Sequence, residues 1–467
     1  MREPLTLPRN EHYLGCCKEV LRSMPDNSVD LCLTDTPYNL TSIAKRFGKD
    51  GSAPSKGNDA YSRHSGGFMG QQWDATGIAF DPEVWVEVGR VLKPGAHLFA
   101  FGGSRTHHRL TCAIEDATLS DETLFEIRDC LMWVYCTGFA KSRDIGKDMD
   151  RLAGAERAVT GEVRTRDLSR HNGEIKGDML VGVSRGSTTI NRYDLPASEN
   201  ALQWDGWGTA VEPTYEPIVV ARKLLSETSI ARNVLKWGTG ALNIAACRIP
   251  RANGKRPGWH KSGANGSNGY LGSDTFRIRA MSAEEIQSRC GDTQFPTNML
   301  LSHGPDCDED GCQEGCPAGN LGDKASYFQQ FAYEDPLLYF PKPTQKERDY
   351  GCDGLPVVVQ NRTNPGGMED DPKWAPKEVR NNHPTLKSIA LGRYLCRLGC
   401  PPGGTVLDIF QGSGSFGCSA LLEGFHYLGI EKEEPYWNIA KHRTAHALHE
   451  YEQRLLAALN EPQLILF

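Results

Sequence analysis

At 467 residues, 39% hydrophobic and 24% charged, the chain has the composition of an ordinary globular protein with room for two or three cores. A formal charge of −7 excludes a global basic field, so any contact with nucleic acid must depend on local basic patches. There is no run of 18 apolar residues and no basic-then-apolar leader at Met1. The expectation is a protein that neither enters membranes nor is secreted, with its 15 cysteines mostly reduced and buried in the cytoplasm.

In chain order, His12-Tyr-Leu-Gly15 reads as a short strand, Cys17–Met24 as a helix and Pro25-Asp-Asn27 as a turn. The apolar strand Val29-Asp-Leu-Cys-Leu-Thr34 ends at Asp35-Thr-Pro-Tyr38. A carboxylate, a stiffened turn and a flat ring just past a strand's carboxyl end lie where open α/β sheets place ligands. They suit a planar ring with an exocyclic amino group; an ordinary strand-end turn, with Asp35 capping a helix, is the alternative. Ser42–Gly77 is rich in Gly, Ser, Lys and Asn and reads as a loop.

A helix at Pro82–Val91, a turn at Leu92-Lys-Pro-Gly95 and a strand at His97–Phe101 make a regular unit. A helix starting at Arg105–Ala113 and a strand at Phe125–Tyr135 follow, and this alternation predicts a doubly wound sheet. Asp150–Asn200 is polar and irregular, an excursion from the sheet. Trp204 and Trp207 sit among glycines and are expected to pack under a loop, exposure toward DNA bases being the alternative. Tyr215–Ala221 reads as an edge or late strand.

From Ala231 to Lys377 the rhythm is lost. Arg251–Cys290 holds seven Lys/Arg against three Asp/Glu, beside Trp259, Tyr270 and Phe276. Arg251, Lys255, Arg256 and Lys261 are therefore candidates for phosphate contacts, with a solvated surface loop as the alternative. His303, Cys307, Cys312 and Cys316 follow as H-x3-C-x4-C-x3-C. One histidine and three thiolates can complete a tetrahedral structural zinc site, with Cys290 or Cys352 able to replace His303, but reduced surface cysteines fit the spacing too.

The rhythm returns with Asn382-His-Pro-Thr-Leu-Lys387, which is expected to start a helix with Pro384 and Thr385 in its first turn. Val406, Leu407 and Ile409 read as a buried strand, Gly412 and Gly414 as a tight turn, and the small apolar residues after them as a packed helix. Such a unit turns backbone N–H groups and the positive end of a helix toward a nucleotide-like ligand. A second strand, Tyr427–Glu431, ends in an acid 17 residues past Gly414, where a ribose-binding carboxylate is expected. Pro435–Leu459 is a final helix.

These motifs resemble the amino-group DNA methyltransferases of the permuted beta order. Asp35-Thr-Pro-Tyr38 is similar to their Asp-Pro-Pro-Tyr tetrad, Asn382–Lys387 to the cofactor-contacting segment, and Asp408-Ile-Phe-Gln-Gly-Ser-Gly414 to the Asp-Pro-Phe-x-Gly-Ser-Gly loop. Arg90–Gly95 and Gly138–Ser142 resemble phage and bacterial members as well. The resemblance implies a Rossmann-like sheet with helices on both faces and an inserted irregular target-recognition domain. It divides the chain into 1–225 (catalytic half), 226–377 (target recognition) and 378–467 (cofactor half).

It further implies S-adenosylmethionine as cofactor, double-stranded DNA as partner, and direct methyl transfer to the amino group of a flipped base. Asp35 and the Thr36 carbonyl would accept from the amino group, with Pro37 shaping the turn and Tyr38 stacking on the base. Asp408, Phe410, Gly412, Ser413 and Gly414 would line the cofactor, Glu431 would hold its ribose, and Thr385 and Lys387 would complete that wall.

Asp35 at the head of the tetrad favours adenine N6; cytosine N4 is the alternative, followed by a catalytically silent DNA-binding homologue. A homodimer and a cognate restriction enzyme stay open as partners. Thr36 in place of the first proline is expected to loosen the turn, Ile409 replaces the proline before Phe410, and Cys16 follows Gly15 where the family often has aspartate.

Overall fold

Val29–Asp35 is buried at every residue but the last, which only a strand covered on both faces allows. A computed structural model of the chain describes residues 9–39, 76–135, 142–158, 164–165, 190–191, 195–211, 213–250, 293–302, 316–321, 329–331, 345–360 and 377–460. Nine strands of the described residues form one sheet. In chain order they are β1 (Glu11–Leu14), β2 (Val29–Asp35), β3 (Leu92–Phe101), β4 (Phe125–Val134), β5 (Tyr215–Lys223), β6 (Met299–Ser302), β7 (Gln329–Phe331), β8 (Thr405–Asp408) and β9 (His426–Glu431). Their order across the sheet is β1-β9-β8-β2-β3-β5-β4-β6-β7. All neighbours run parallel except β5, which is antiparallel to both β3 and β4.

Strand alternation sorts the core into two layers. Leu31, Leu33, Phe99, Phe101, Val406 and Tyr427 point to one face, where α7 (Ile389–Gly399) and α8 (Ser415–Leu422) pack. Cys32, Leu98, Ala100, Leu407 and Leu428 point to the other, under α1 (Cys17–Ser23), α2 (Pro82–Val91) and α3 (His107–Glu115). Each fully buried large side chain contributes about 1.5–3 kcal/mol of transfer free energy, so this double-sided burial anchors the middle of the sheet. Between α3 and α7 lie α4 (Ile145–Ala153), α5 (Glu199–Gln203) and α6 (Ile230–Trp237). The last helix, α9 (Glu434–Asn460), packs against α8 and the β1–β9 edge. No helix of the described residues is long and apolar enough to cross a membrane.

Three expectations change. Tyr215–Ala221 is interior, not an edge or late strand: β5 lies between β3 and β4. Pro217 is tolerated there because its carbonyl accepts from Gly102 N at 3.0 Å, so its missing N–H faces the point where β3 leaves the ladder. The helix expected from Asn382 begins instead at Ile389, where the Ser388 hydroxyl accepts from Leu391 N at 3.3 Å; residues 382–387 precede it as an irregular segment with a bend at Pro384. Trp204 and Trp207 do not pack under a loop. They are 37% and 59% exposed and meet edge-on, with ring centroids 4.9 Å apart.

Two further strands, β6 and β7, come from within 226–377 and extend the main sheet, tied in by Trp133 Nε1 donating to Ser302 Oγ at 2.8 Å. The Ser42–Gly77 loop lies outside the described residues up to position 75.

Candidate active site

Because β2 and β8 are parallel neighbours, with Leu31 opposite Val406, the segments that follow them leave from the same edge of the sheet. Asp35 and Asp408 thus meet although they are far apart in sequence. The Thr34 hydroxyl donates to Asp408 Oδ1 at 2.7 Å, joining the two strand ends directly. Around this junction opens a cavity of about 490 Å³, lined by Asp35–Tyr38 on one side and by Asp408–Ser413 and Glu431 on the other.

The glycine half follows from two backbone requirements. Gly412 (φ +51°) and Gly414 (φ +79°) both adopt left-handed conformations. A Cβ at Gly412 would stand 2.7 Å from His383 Nε2, and one at Gly414 would stand 3.0 Å from Ala440. Glycine is therefore needed for both conformation and space. Gly414 caps α8 and is set back from the cavity wall, whereas Gly412 and Ser413 line it.

The buried guanidinium of Arg443 clamps this loop, donating to the Ser413 carbonyl at 2.7 Å and to the Tyr350 carbonyl at 3.1 Å. Glu431 faces the turn with Oε2 accepting from Gly412 N and Oε1 from Glu433 N, both at 2.8 Å. Burial pushes its carboxyl up to about 7 against the pull of those N–H donors. Burial likewise pushes Asp408 up to about 8, opposed by the Thr34 hydroxyl and the Phe410 N–H.

The tetrad half is held from several sides. The Thr36 hydroxyl donates to the Phe101 carbonyl at 2.8 Å, so threonine braces the turn that it was expected to loosen. The Thr106 hydroxyl holds the Tyr38 carbonyl at 2.8 Å, and the Tyr38 hydroxyl donates to Glu216 Oε2 at 2.7 Å. Lys387 reaches across from the other half: its Nζ lies 2.6 Å from Asp35 Oδ2 and 3.3 Å from Glu216 Oε2. Asp35 Oδ1 is buried and has no hydrogen-bond partner among the described residues. Burial raises the Asp35 carboxyl above the usual range even though Lys387 pulls it down. For Lys387, burial disfavours the charge, but the two carboxylates outweigh it and hold the ammonium above the lysine range.

Asp35, Thr36, Pro37, Tyr38, Asp408, Phe410, Gly412, Ser413, Glu431, Thr385 and Lys387 all line the one cavity. Lys387 turns its charge to the tetrad instead of running along the glycine loop. Gly15 and Cys16 also line it, with Gly15 N donating to the Glu431 carbonyl at 2.8 Å.

Sequence reasoning missed Glu216, Tyr135, Arg348 and His383. Glu216 is the second residue of β5, where a charged residue near the head of an apolar strand was the available signal. Arg348 donates to the His383 carbonyl, and His383 Nδ1 to the Thr385 carbonyl, fixing the bend that precedes α7. Burial lowers His383 to about 3, leaving a neutral ring against Tyr436.

Arg251, Lys255, Arg256 and Lys261 lie outside the described residues, as do His303, Cys307, Cys312 and Cys290. Cys316 is buried beside Leu301, and its sulfur accepts from Gly319 N at 3.5 Å; Cys352 packs elsewhere, against the Arg348 carbonyl. Among the described residues there is no group of three or more His, Cys, Asp or Glu placed to hold a metal ion.

A family model described as DNA methylase, of the N6/N4 type, matches residues 29–442. Among solved structures, the chain is similar to the cytosine-N4-specific PvuII DNA methyltransferase at 11% identity, covering 97% of this chain and 94% of that one, with a TM-score of 0.37. It is similar to a candidate DNA modification methylase from Thermus thermophilus at 14% identity, covering 94% and 96%, with a TM-score of 0.35. The third is M1.HpyAVI in complex with SAM, at 12% identity, 93% and 98% coverage and a TM-score of 0.33. Likenesses this distant add no weight to the family match.

Proposed function

The chain belongs to the N6/N4 DNA methylase family, and we propose that it transfers a methyl group from S-adenosylmethionine to adenine N6 of a base flipped out of duplex DNA. The observation that carries this reading is the unpartnered Asp35 Oδ1, buried in the same cavity as the Gly412 turn. An acceptor awaiting a donor thus stands beside a cradle that no side chain larger than glycine would leave open.

The residues present fit that cofactor. Glu431 offers acceptors for ribose hydroxyls beside the Gly412 backbone, and Phe410 offers an apolar wall. The carboxyl groups of Asp408 and Asp35 line the same cavity. Thr385 and the His383 wall close the side facing the turn. Once bound, S-adenosylmethionine supplies an electrophilic methyl group on a sulfonium that departs as a neutral thioether.

The remaining work belongs to the chain. Asp35 Oδ1 accepts one N–H of the amino group and the Thr36 carbonyl the other, which keeps the nitrogen lone pair on nitrogen instead of delocalised into the ring. A hydrogen bond to a charged group is worth about 1.5–3 kcal/mol, and here it acts on the reacting atom. Tyr38, held by Glu216 and Thr106, presents a fixed face to the base. When the C–N bond forms, the nitrogen must shed a proton; Asp35, its carboxyl raised by burial, is placed to hold it.

Target reading is assigned to 226–377, with Arg251, Lys255, Arg256 and Lys261 contacting phosphates. The preference for adenine is supported by aspartate, not serine, at the head of the tetrad. Nucleoside mass spectrometry of DNA from cells expressing the protein tests it. N6-methyladenine is expected; N4-methylcytosine alone would overturn the choice of base, and neither product would overturn the activity.

A further inference from the structure

We propose that Lys387 is a base-reading residue, its ammonium donating to the ring nitrogen next to the target amino group. The inference rests on the methyl-transfer reading above and assigns a contact beyond the tetrad. Lys387 is nearly buried, with its side chain 7% exposed, and its Nζ sits 2.6 Å from Asp35 Oδ2. Asp35 Oδ1, the other oxygen of that carboxylate, is the unpartnered acceptor. The cavity therefore presents an acceptor and a cationic donor side by side.

That pair is the complement of one kind of base edge. Adenine places its N6 amino group beside the N1 lone pair, and cytosine places N4 beside N3. Guanine and thymine present the reverse polarity, a carbonyl oxygen beside an N–H. A flipped base is read along this edge. With the amino group on Asp35 Oδ1, the adjoining ring nitrogen falls to Lys387.

The donors add up. An ammonium carries three N–H groups; Asp35 Oδ2 takes one, Glu216 Oε2 lies within reach of a second at 3.3 Å, and the third serves the ring nitrogen. Glu216 is what makes this arrangement durable. It keeps a counter-charge beside Lys387 while Asp35 serves the substrate, and through the Tyr38 hydroxyl it links the reading edge to the stacking face. The Tyr38 and Phe101 rings, each 5.3 Å from Nζ, confine the ammonium laterally. A donor in this place also occupies the ring lone pair that would otherwise compete with the amino nitrogen for the methyl group.

The test uses the full-length protein and duplex oligonucleotides carrying the methylated sequence found in host DNA. The target adenine is replaced by 1-deazaadenine, which has C–H for N1 and keeps the amino group (3-deazacytosine serves if the product is N4-methylcytosine). Equilibrium binding is measured with S-adenosylhomocysteine present, together with the methylation rate. The wild type should lose roughly 10- to 100-fold in affinity for the deaza duplex, the scale of a charged hydrogen bond. Lys387→Met should bind the two duplexes equally, and Lys387→Arg should recover the discrimination.

Equal binding of both duplexes by the wild type would overturn the assignment whether or not Lys387→Met folds. A chain that methylates neither base would overturn the reading beneath it, a separate outcome.

Discussion

Thr34 and Asp408, 374 residues apart in sequence, are joined by a 2.7 Å hydrogen bond in which the threonine hydroxyl donates to Oδ1. Both residues are buried, so the bond forms where water cannot replace it. It pins the end of the strand that carries the tetrad to the end of the strand that carries the glycine turn. Thr34→Val keeps the shape and removes the donor, leaving Asp408 Oδ1 the Phe410 N–H among the described residues. The expected cost is about 1–3 kcal/mol in denaturant unfolding, with weaker cofactor binding. Unchanged stability would show that the two halves are held together elsewhere.

The buried titratable groups give stability a pH optimum. Asp408 and Glu431 keep their protons up to about 8 and about 7 in the folded chain, whereas unfolded carboxyls release them near pH ~4. Between those values the folded state binds more protons, so this contribution is full at low pH and lost as pH rises through the folded values. His383 acts oppositely. Its folded value of about 3 lies below the ordinary ~6.5, so its contribution is present above ~6.5 and lost as pH falls. Two carboxyls outweigh one imidazole between pH ~4 and ~6.5, so the thermal midpoint should peak near pH ~4. It should fall on the acid side through His383 and on the alkaline side, up to pH ~8, through Asp408 and Glu431. Asp408→Asn should flatten the alkaline arm and leave the acid arm. A wild-type midpoint that stays level from pH 6.5 to 8.5, chosen to span ~2 units of the alkaline arm, would contradict this.

Gly412 and Gly403 separate strain from crowding. Both have positive φ, +51° and +68°, but a Cβ at Gly403 meets nothing within 4 Å while one at Gly412 meets His383. Alanine at either position costs about 1–2 kcal/mol in backbone strain. Only Gly412→Ala should also weaken S-adenosylhomocysteine binding, by about tenfold or more as the cradle closes. Calorimetric titration of both variants decides it; equal affinities would remove the turn from the binding site.

How far the chain explains itself from sequence depends on how local each signal is. Val406–Ile409, the Gly412 turn and Asp35–Tyr38 declare themselves because strand, turn and chemistry occupy consecutive residues. Glu216 does not, because its place beside Lys387 depends on β5 inserting between β3 and β4, a sheet-order fact with no local trace. The edge reading of Tyr215–Ala221 failed for the same reason, and Pro217 is acceptable inside the sheet because β3 ends beside it. The start of α7 was misplaced because Pro384 and Thr385 mimic a first turn, while the true cap is Ser388. Arg348 and Arg443 were silent for the same reason as Glu216: they donate mostly to carbonyls brought near by the fold, which carry no residue signature.

The central claim is that Asp35 performs the transfer while the Gly412 half binds the cofactor. The most direct measurement incubates purified wild-type and Asp35→Ala protein with DNA and deuteromethyl S-adenosylmethionine, quantifies labelled nucleosides by mass spectrometry, and titrates S-adenosylhomocysteine into both proteins. The account predicts labelled N6-methyladenine from the wild type, none above background from Asp35→Ala, and comparable cofactor affinity for the two. Undiminished labelling by Asp35→Ala, or label found only in N4-methylcytosine, would contradict it.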